Sequence, residues 1–164
     1  MAADCAHPIY ATEPFVCSTL SLRAQDYAMR VLLAGAAPGD LLGRAPFLEG
    51  QDEWLRRRSM CAFQADQLSC VTAAYAERLT VLRAFREAKV RAARKVGCAP
   101  ARWAVAMQAN GPDGAVVLFD AIGAVRAVAL PQAEPGGWQP FVSVQRTGSS
   151  WTFQAASGIA MRCR

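Results

Sequence analysis

The sequence predicts an α+β chain: a disulfide-clipped helical domain over residues 4–96, then a small antiparallel β meander or barrel over 97–164. Three observations predict it. The spacing of apolar residues changes from helical to alternating near Gly97. Turn-forming pairs then recur at short intervals to the end of the chain. The six cysteines form an even set without metal-ligand spacing.

The helical half reads in four pieces. CSTLSLRAQDYAMRVLLAG offers Ser18 or Ser21 as an N-cap, places Leu22, Tyr27, Val31 and Leu32 near one side, and stops at Gly35. AAPGDLLGRAPFLEG is a Pro/Gly-rich connector. A short helix is predicted over 50–60 and the longest over 71–96. In the latter, Val71, Tyr75, Leu79, Leu82, Phe85, Ala88 and Ala92 recur at three- and four-residue steps and form one apolar stripe. Arg78, Arg83, Arg86, Lys89, Arg91, Arg94 and Lys95 fill much of the remainder, densest toward the C-terminal end, where cations suit the helix dipole.

After Gly97, six apolar-rich runs read as antiparallel strands: RWAVAMQA, AVVLFDA, AVRAVAL, FVSVQR, WTFQA and IAMRC. NGPDG, IG, PQAEPGGW, TGSS and SG separate them and carry turn chemistry. Cys98 precedes the first run and Cys163 ends the last, so a bridge between them would staple the two ends of a small sheet.

A structural zinc site would need closely spaced cysteines and further ligands. No two cysteines lie closer than Cys61 and Cys70, and His7 is the sole histidine, so no metal and no cofactor are expected. Disulfides are expected instead, which places the chain outside the cytosol. The start lacks a basic segment followed by an apolar one, and Ala2-Ala3-Asp4 reads as what signal cleavage leaves behind. No apolar run reaches the length of a membrane span, so a membrane is a partner only through a lipid anchor on a segment missing from the sequence.

The net charge of +5 is local. Residues 1–70 carry 6 basic and 8 acidic side chains, residues 71–96 carry 7 and 2, and residues 97–164 carry 5 and 3. A cationic segment without interleaved aromatics or a recognition motif excludes nucleic acid as the expected partner.

The stretch around Cys61 and Cys70 is more specific. Gln51, Trp54, Arg58 and Cys61 fall in Q-x2-W-x3-R-x2-C, and Cys70, Tyr75, Arg78 and Leu82 in C-x4-Y-x2-R-x3-L. Upstream, Asp4-Cys5-Ala6 leads to Cys17 and a helix containing Asp26. Over residues 4–85 this resembles the N-terminal domain of the LprI-type lysozyme-inhibitor family, a small extracytoplasmic helical domain. The resemblance implies the pairs Cys5–Cys17 and Cys61–Cys70, leaving Cys98–Cys163. Trp54 and Tyr75 are then expected to pack between helices, with Arg58 and Arg78 covering their edges or pairing with acids such as Asp26. Gln51, Trp54, Arg58, Tyr75, Arg78 and Leu82 are accordingly read as scaffold.

The β segment is similar, in architecture more than in motif, to the membrane-bound inhibitor of c-type lysozyme, a small barrel with a disulfide joining its first and last strands. It departs from that family in placing Ser157-Gly158 after Trp151 and only a few residues before Cys163, where a hairpin turn is the expected reading.

Enzymatic chemistry is not expected. A nucleophile would have to recruit His7 itself, in a proline-adjacent terminal stretch. Asp52 and Glu53 are adjacent and so point apart on a helix, while Asp113 and Asp120 read as turn residues, so no carboxylate pair flanks a sugar. The function expected is that of an extracytoplasmic inhibitor, binding and occluding a lysozyme-like peptidoglycan hydrolase. The alternatives are an immunity protein that neutralises a secreted antibacterial effector through the basic helix, and a non-inhibitory envelope-binding scaffold. Candidate contacts are Trp138, in the loop PQAEPGGW, and the turn at Ser157 and Gly158.

Overall fold

The structure, a computed structural model, describes residues 3–35, 46–134 and 137–164. The described residues form four α-helices followed by a curled eight-stranded sheet, an α+β arrangement. The helices are α1 (Glu13–Ser18), α2 (Leu20–Ala34), α3 (Gln51–Ser59) and α4 (Gln67–Glu87). Most of the predicted connector before α3 lies outside the described residues.

A chain of buried hydrogen bonds ties the helices together. Arg58 on α3, wholly buried, donates from Nε to Thr12 Oγ1 at 3.2 Å and from Nη1 to the Tyr75 hydroxyl at 2.6 Å. That hydroxyl donates to Asp26 Oδ1 on α2 at 2.9 Å, and the Asp26 carboxylate also accepts from the Ala3 amide and from Arg30. Trp54 meets the Tyr75 ring edge-on at 5.2 Å, and the Arg58 guanidinium lies 5.2 Å from the Trp54 centroid. Arg78 holds Gln51 Oε1 and the Glu49 carbonyl. Leu82 is buried in the same cluster as Trp54 and Tyr75. Every residue of the motif therefore faces inward. The buried Arg58 guanidinium is satisfied at Nε and Nη1 by Thr12 and Tyr75, while its Nη2 finds no acceptor among the described residues; Arg78 is satisfied at all three nitrogens by Gln51 and Glu49.

The helices differ from expectation in three places. Helix α1 precedes the predicted start, and Thr19 rather than a serine caps α2. On α2, Leu22 and Met29 are buried, whereas Tyr27 is 68% exposed and Val31 52%. A buried acid, Asp26, shares the inward face instead. Helix α4 begins at Gln67 behind Asp66, whose side chain accepts from the Ser69 amide, and it ends at Glu87 rather than Val96. The stripe through Ala88 and Ala92 does not persist as helix. Beyond Glu87 the chain is drawn onto the sheet: the Lys89 amide donates to Gln108 Oε1, and Ala88 and Ala93 pack on the sheet's outer cluster. Tertiary contacts outweigh helix propensity there.

The strands are β1 (Arg94–Lys95), β2 (Cys98–Ala99), β3 (Ala106–Gln108), β4 (Val116–Phe119), β5 (Val125–Pro131), β6 (Val142–Thr147), β7 (Ser150–Ala155) and β8 (Ala160–Cys163), ordered β1-β3-β4-β5-β6-β7-β8-β2. The last six match the predicted runs; the two short first strands were not foreseen. Because β1 and β2 are successive stretches of one segment, residues 94–99 pair with β3 at one edge and β8 at the other, and the sheet closes into a barrel. Val96 donates to Val105 and Gly97 exchanges two bonds with Arg164 between those pairings. Closure removes the exposed edges that make small sheets prone to aggregation. All pairings are antiparallel except β5 with β6, which run parallel. A hairpin cannot join parallel neighbours, so the connection from β5 to β6, described at residues 132–134 and 137–141, is a crossover.

Strand β4 is buried on both faces. Val116 and Leu118 point into the barrel with Ala127, Ala129, Val144, Phe153 and Met161. Val117 and Phe119 point outward with Val128 and Leu130, against Ala84, Val81 and Phe85 of α4. Helix α4 thus packs on the other helices along one face and on the barrel wall along another. Three disulfides complete the fold, Cys5–Cys17, Cys61–Cys70 and Cys98–Cys163, the last between directly opposed residues of β2 and β8. They fit an oxidising, extracytoplasmic compartment. No helix among the described residues is long and apolar enough to cross a membrane.

Two outcomes follow from these contacts. Replacing Cys98 and Cys163 by serine is expected to cost about 4 kcal/mol of unfolding free energy in urea, from the loop of 65 residues that the bridge closes. Burial, with the Asp26 charge and hydrogen bond, raises the Tyr75 phenol above the ordinary tyrosine range, although Arg58 opposes this. A raised folded-state value means that the unfolded chain loses the proton first as pH climbs past about 10, so stability complete below that pH declines above it. Tyr75→Phe is expected to cost about 1–3 kcal/mol at neutral pH and to flatten that alkaline decline, both readable from urea titrations across pH.

Candidate partner-binding surface

The crossover that the parallel pairing requires is anchored on the helical domain by a cluster of charges. Glu77 on α4 is 7% exposed. Its Oε1 accepts from the Phe141 amide at 2.7 Å, and its Oε2 accepts from the Trp138 indole at 2.5 Å and from Arg57 Nη2 at 2.6 Å. Arg57 on α3 also grips Glu49 with Nε and Nη2, at 2.7 and 2.8 Å, and donates to the Gln139 carbonyl at 2.7 Å. Its guanidinium lies 4.3 Å from the centre of the Trp138 ring. One arginine and one glutamate therefore bond to both the helices and the crossover.

Electrostatics reinforce the arrangement. Burial pushes the Glu49 carboxyl up from the usual carboxylate range, with Arg57 acting against it. Burial alone would lower Arg57, but the bonds and charges of Glu49 and Glu77 hold it above its ordinary value, so it stays charged. Burial holds Arg78 nearby below its ordinary value despite both acids.

Trp138 is consequently fixed, half-buried between Arg57 and solvent. It borders a groove of about 600 Å³ whose far wall is the Cys61–Cys70 clip, with Met60, Gln64 and Ser69. Residues 60–68 around that clip expose Met60 at 58%, Phe63 at 79% and Leu68 at 46%. Exposed apolar side chains on a clipped, rigid turn suit protein contact.

The second predicted loop lies beside the first. Ser157 and Gly158 form the β7–β8 hairpin turn, with Gly158 at φ +86°, a conformation glycine adopts without strain. The Ala155 amide donates to the Ile159 carbonyl and the Gly158 amide to the Ala155 carbonyl. The next residue, Ala156, donates to the Phe141 carbonyl at 2.8 Å. The crossover carrying Trp138 and the turn carrying Ser157 thus share one end of the barrel. Residues 135–136 of the predicted loop lie outside the described residues.

His7 is exposed, with its backbone amide bonded to Asp4. Asp52 and Glu53 are exposed on α3, Asp113 accepts from Thr80, and Asp120 binds its own turn and Arg126. Among the described residues no three His, Cys, Asp or Glu side chains gather as metal ligands would. Glu49, Arg57 and Glu77 escaped the sequence reading. A signal was present for Glu77 alone: Ala74, Glu77, Val81, Ala84 and Ala88 follow a three-four spacing, a second apolar stripe with an acid inside it.

No protein-family model, curated protein or solved structure matches the chain.

Glu77→Ala strips the acceptor from three donors at once and is expected to cost about 3 kcal/mol in chemical denaturation. Asp52→Ala, at an exposed position on the neighbouring helix, is expected to stay within about 0.5 kcal/mol of the parent.

Proposed function

We propose that the protein is an extracytoplasmic inhibitor that occludes the sugar-binding cleft of a lysozyme-like peptidoglycan hydrolase with the barrel end formed by the 132–141 crossover and the Ser157-Gly158 turn. The observation that supports this reading is the hydrogen bond from the Ala156 amide to the Phe141 carbonyl, which brings the end of the crossover beside the β7–β8 turn. Trp138 and Met60 supply apolar contact at its groove, and the exposed Ser157 hydroxyl can donate to a carboxylate of the partner. Both loops are braced by hydrogen bonds before binding, which lowers the ordering cost of association. The cysteine pairs also agree with those that the LprI-type resemblance implies.

The second reading, an immunity protein against a secreted effector, is favoured by charge. Arg83, Arg86, Lys89, Arg91, Arg94 and Lys95 are all exposed, and a cationic surface associates slowly with a cationic lysozyme. The end of α4 at Glu87 divides these cations between a helix and the chain that follows, so they do not form the single basic helix expected.

The test is lysis of a peptidoglycan suspension by a c-type lysozyme, with the protein titrated at low and at physiological salt. Stoichiometric inhibition that survives physiological salt is expected, with Ser157→Asp weakening it about tenfold or more by setting a carboxylate against the partner's own. Absence of inhibition at both salts rules out c-type lysozyme as the target and favours the effector reading.

A further inference from the structure

The opposite end of the barrel carries a feature that inhibition by the crossover end does not use. Antiparallel partners project to the same face of a sheet, and this fixes which residues look inward. On β6 and β7, Val144 opposes Phe153 and both lie in the barrel core; the next inward pair along the hairpin is Arg146 opposite Trp151. On β3, the core residue Met107 opposes Arg94 of β1. Two guanidiniums are therefore directed at the barrel mouth from separate walls, where a polyleucine-like lining would be the simplest way to fill a small barrel.

They meet a cavity of about 430 Å³ whose lining includes Arg94, Arg146, Trp151, Met107, Asn110 and Ser149, and no acidic side chain. Arg146 lies 5.3 Å from the Trp151 ring centre and bonds through Nε to the Gly148 carbonyl, which leaves its terminal nitrogens to face the basin. Among the described residues neither Arg94 nor Arg146 forms an ion pair, whereas Arg30, Arg57 and Arg126 each hold a carboxylate. Two like charges sharing one basin repel, and an anion lodged between them removes that repulsion while accepting fork-shaped bonds. The volume exceeds what a small inorganic ion fills and falls in the range of small-molecule sites at barrel mouths. Met107 and Trp151 supply an apolar floor.

We propose that this mouth binds a carboxylate attached to a small apolar or planar body, held by Arg94 and Arg146 against Trp151 and Met107. The carboxylate can come from a free acid or from the end of a peptide chain.

Nitrogen-15 NMR of the whole protein at low salt tests this, with benzoate as the free acid and acetyl-trialanine, beside its C-terminal amide, as the chain end. The expected result is a saturable shift of the Trp151 indole and the Arg94 and Arg146 Nε–H signals with at least one carboxylate and not with the amide. Arg94→Gln and Arg146→Gln are each expected to weaken binding about tenfold or more. Arg83→Gln, an exposed cation of α4 outside the mouth, is expected to leave it unchanged. A response to benzoate alone assigns a free acid, and to acetyl-trialanine alone a chain end. No response to either probe, or equal losses from Arg83→Gln and Arg146→Gln, overturns the proposal. Because the readout is binding at the mouth, it is independent of whether lysozyme is inhibited at the other end.

Discussion

A buried carboxylate without enough donors would be ruinous to a chain of this size, and Glu77 is a buried carboxylate that finds three. Its three donors come from α3, from the crossover's indole and from the backbone where β6 begins. Two of the three, the Trp138 indole and the Phe141 amide, lie outside the helices. Satisfying Glu77 therefore fixes the crossover on the helices, and the crossover fixes one end of the barrel. Arg57 closes the arrangement by sharing its guanidinium among Glu49, Glu77 and Gln139. The two acids, which repel one another, are tolerable in this cluster because Arg57 bonds to both and neutral donors fill the remaining positions on Glu77.

The same dependence gives the candidate surface its character. Trp138 is held by stacking and by its indole bond. The clip at Cys61–Cys70 holds the opposite wall of the groove to the first turn of α4. An inhibitor gains from such rigidity, since a braced loop loses little freedom on entering a cleft. Apolar packing between Ala84, Val81 and Phe85 of α4 and the outer faces of β4 and β5 supplies the broader non-directional contact. The polar cluster adds direction to it.

Much of this was legible in the sequence, though for uneven reasons. The six later strands were readable because alternating apolar residues and glycine turns are local signals, and Gly123, Gly148 and Gly158 do adopt positive φ. The inward packing of Trp54, Arg58, Tyr75 and Arg78 was expected from the spacing that carries the LprI-type resemblance, and all four are buried. A barrel was one of two forms expected, but the segment that closes it was not readable, because β1 and β2 are two residues each and β2 finds its partner at the far end of the chain. The parallel step was missed because an apolar run carries no record of its neighbour's direction. Helix α4 was drawn too long because its apolar spacing continues past the point where the sheet captures the chain. Trp138, expected as an anchor for a partner, anchors the crossover to Glu77 and Arg57 on the helices. Tyr27 and Val31 misled because Asp26 takes the inward place beside them.

The account rests on the crossover being held by Glu77 in the native state, and amide hydrogen exchange at Phe141 measures that directly. Its amide, bonded to a buried carboxylate, is predicted to exchange only through opening as costly as that of the β6 and β7 core. Exchange at the rate of an exposed loop, while Val144 and Phe153 stay protected, would contradict the coupling of the crossover to the helices and remove the basis for a preformed binding surface.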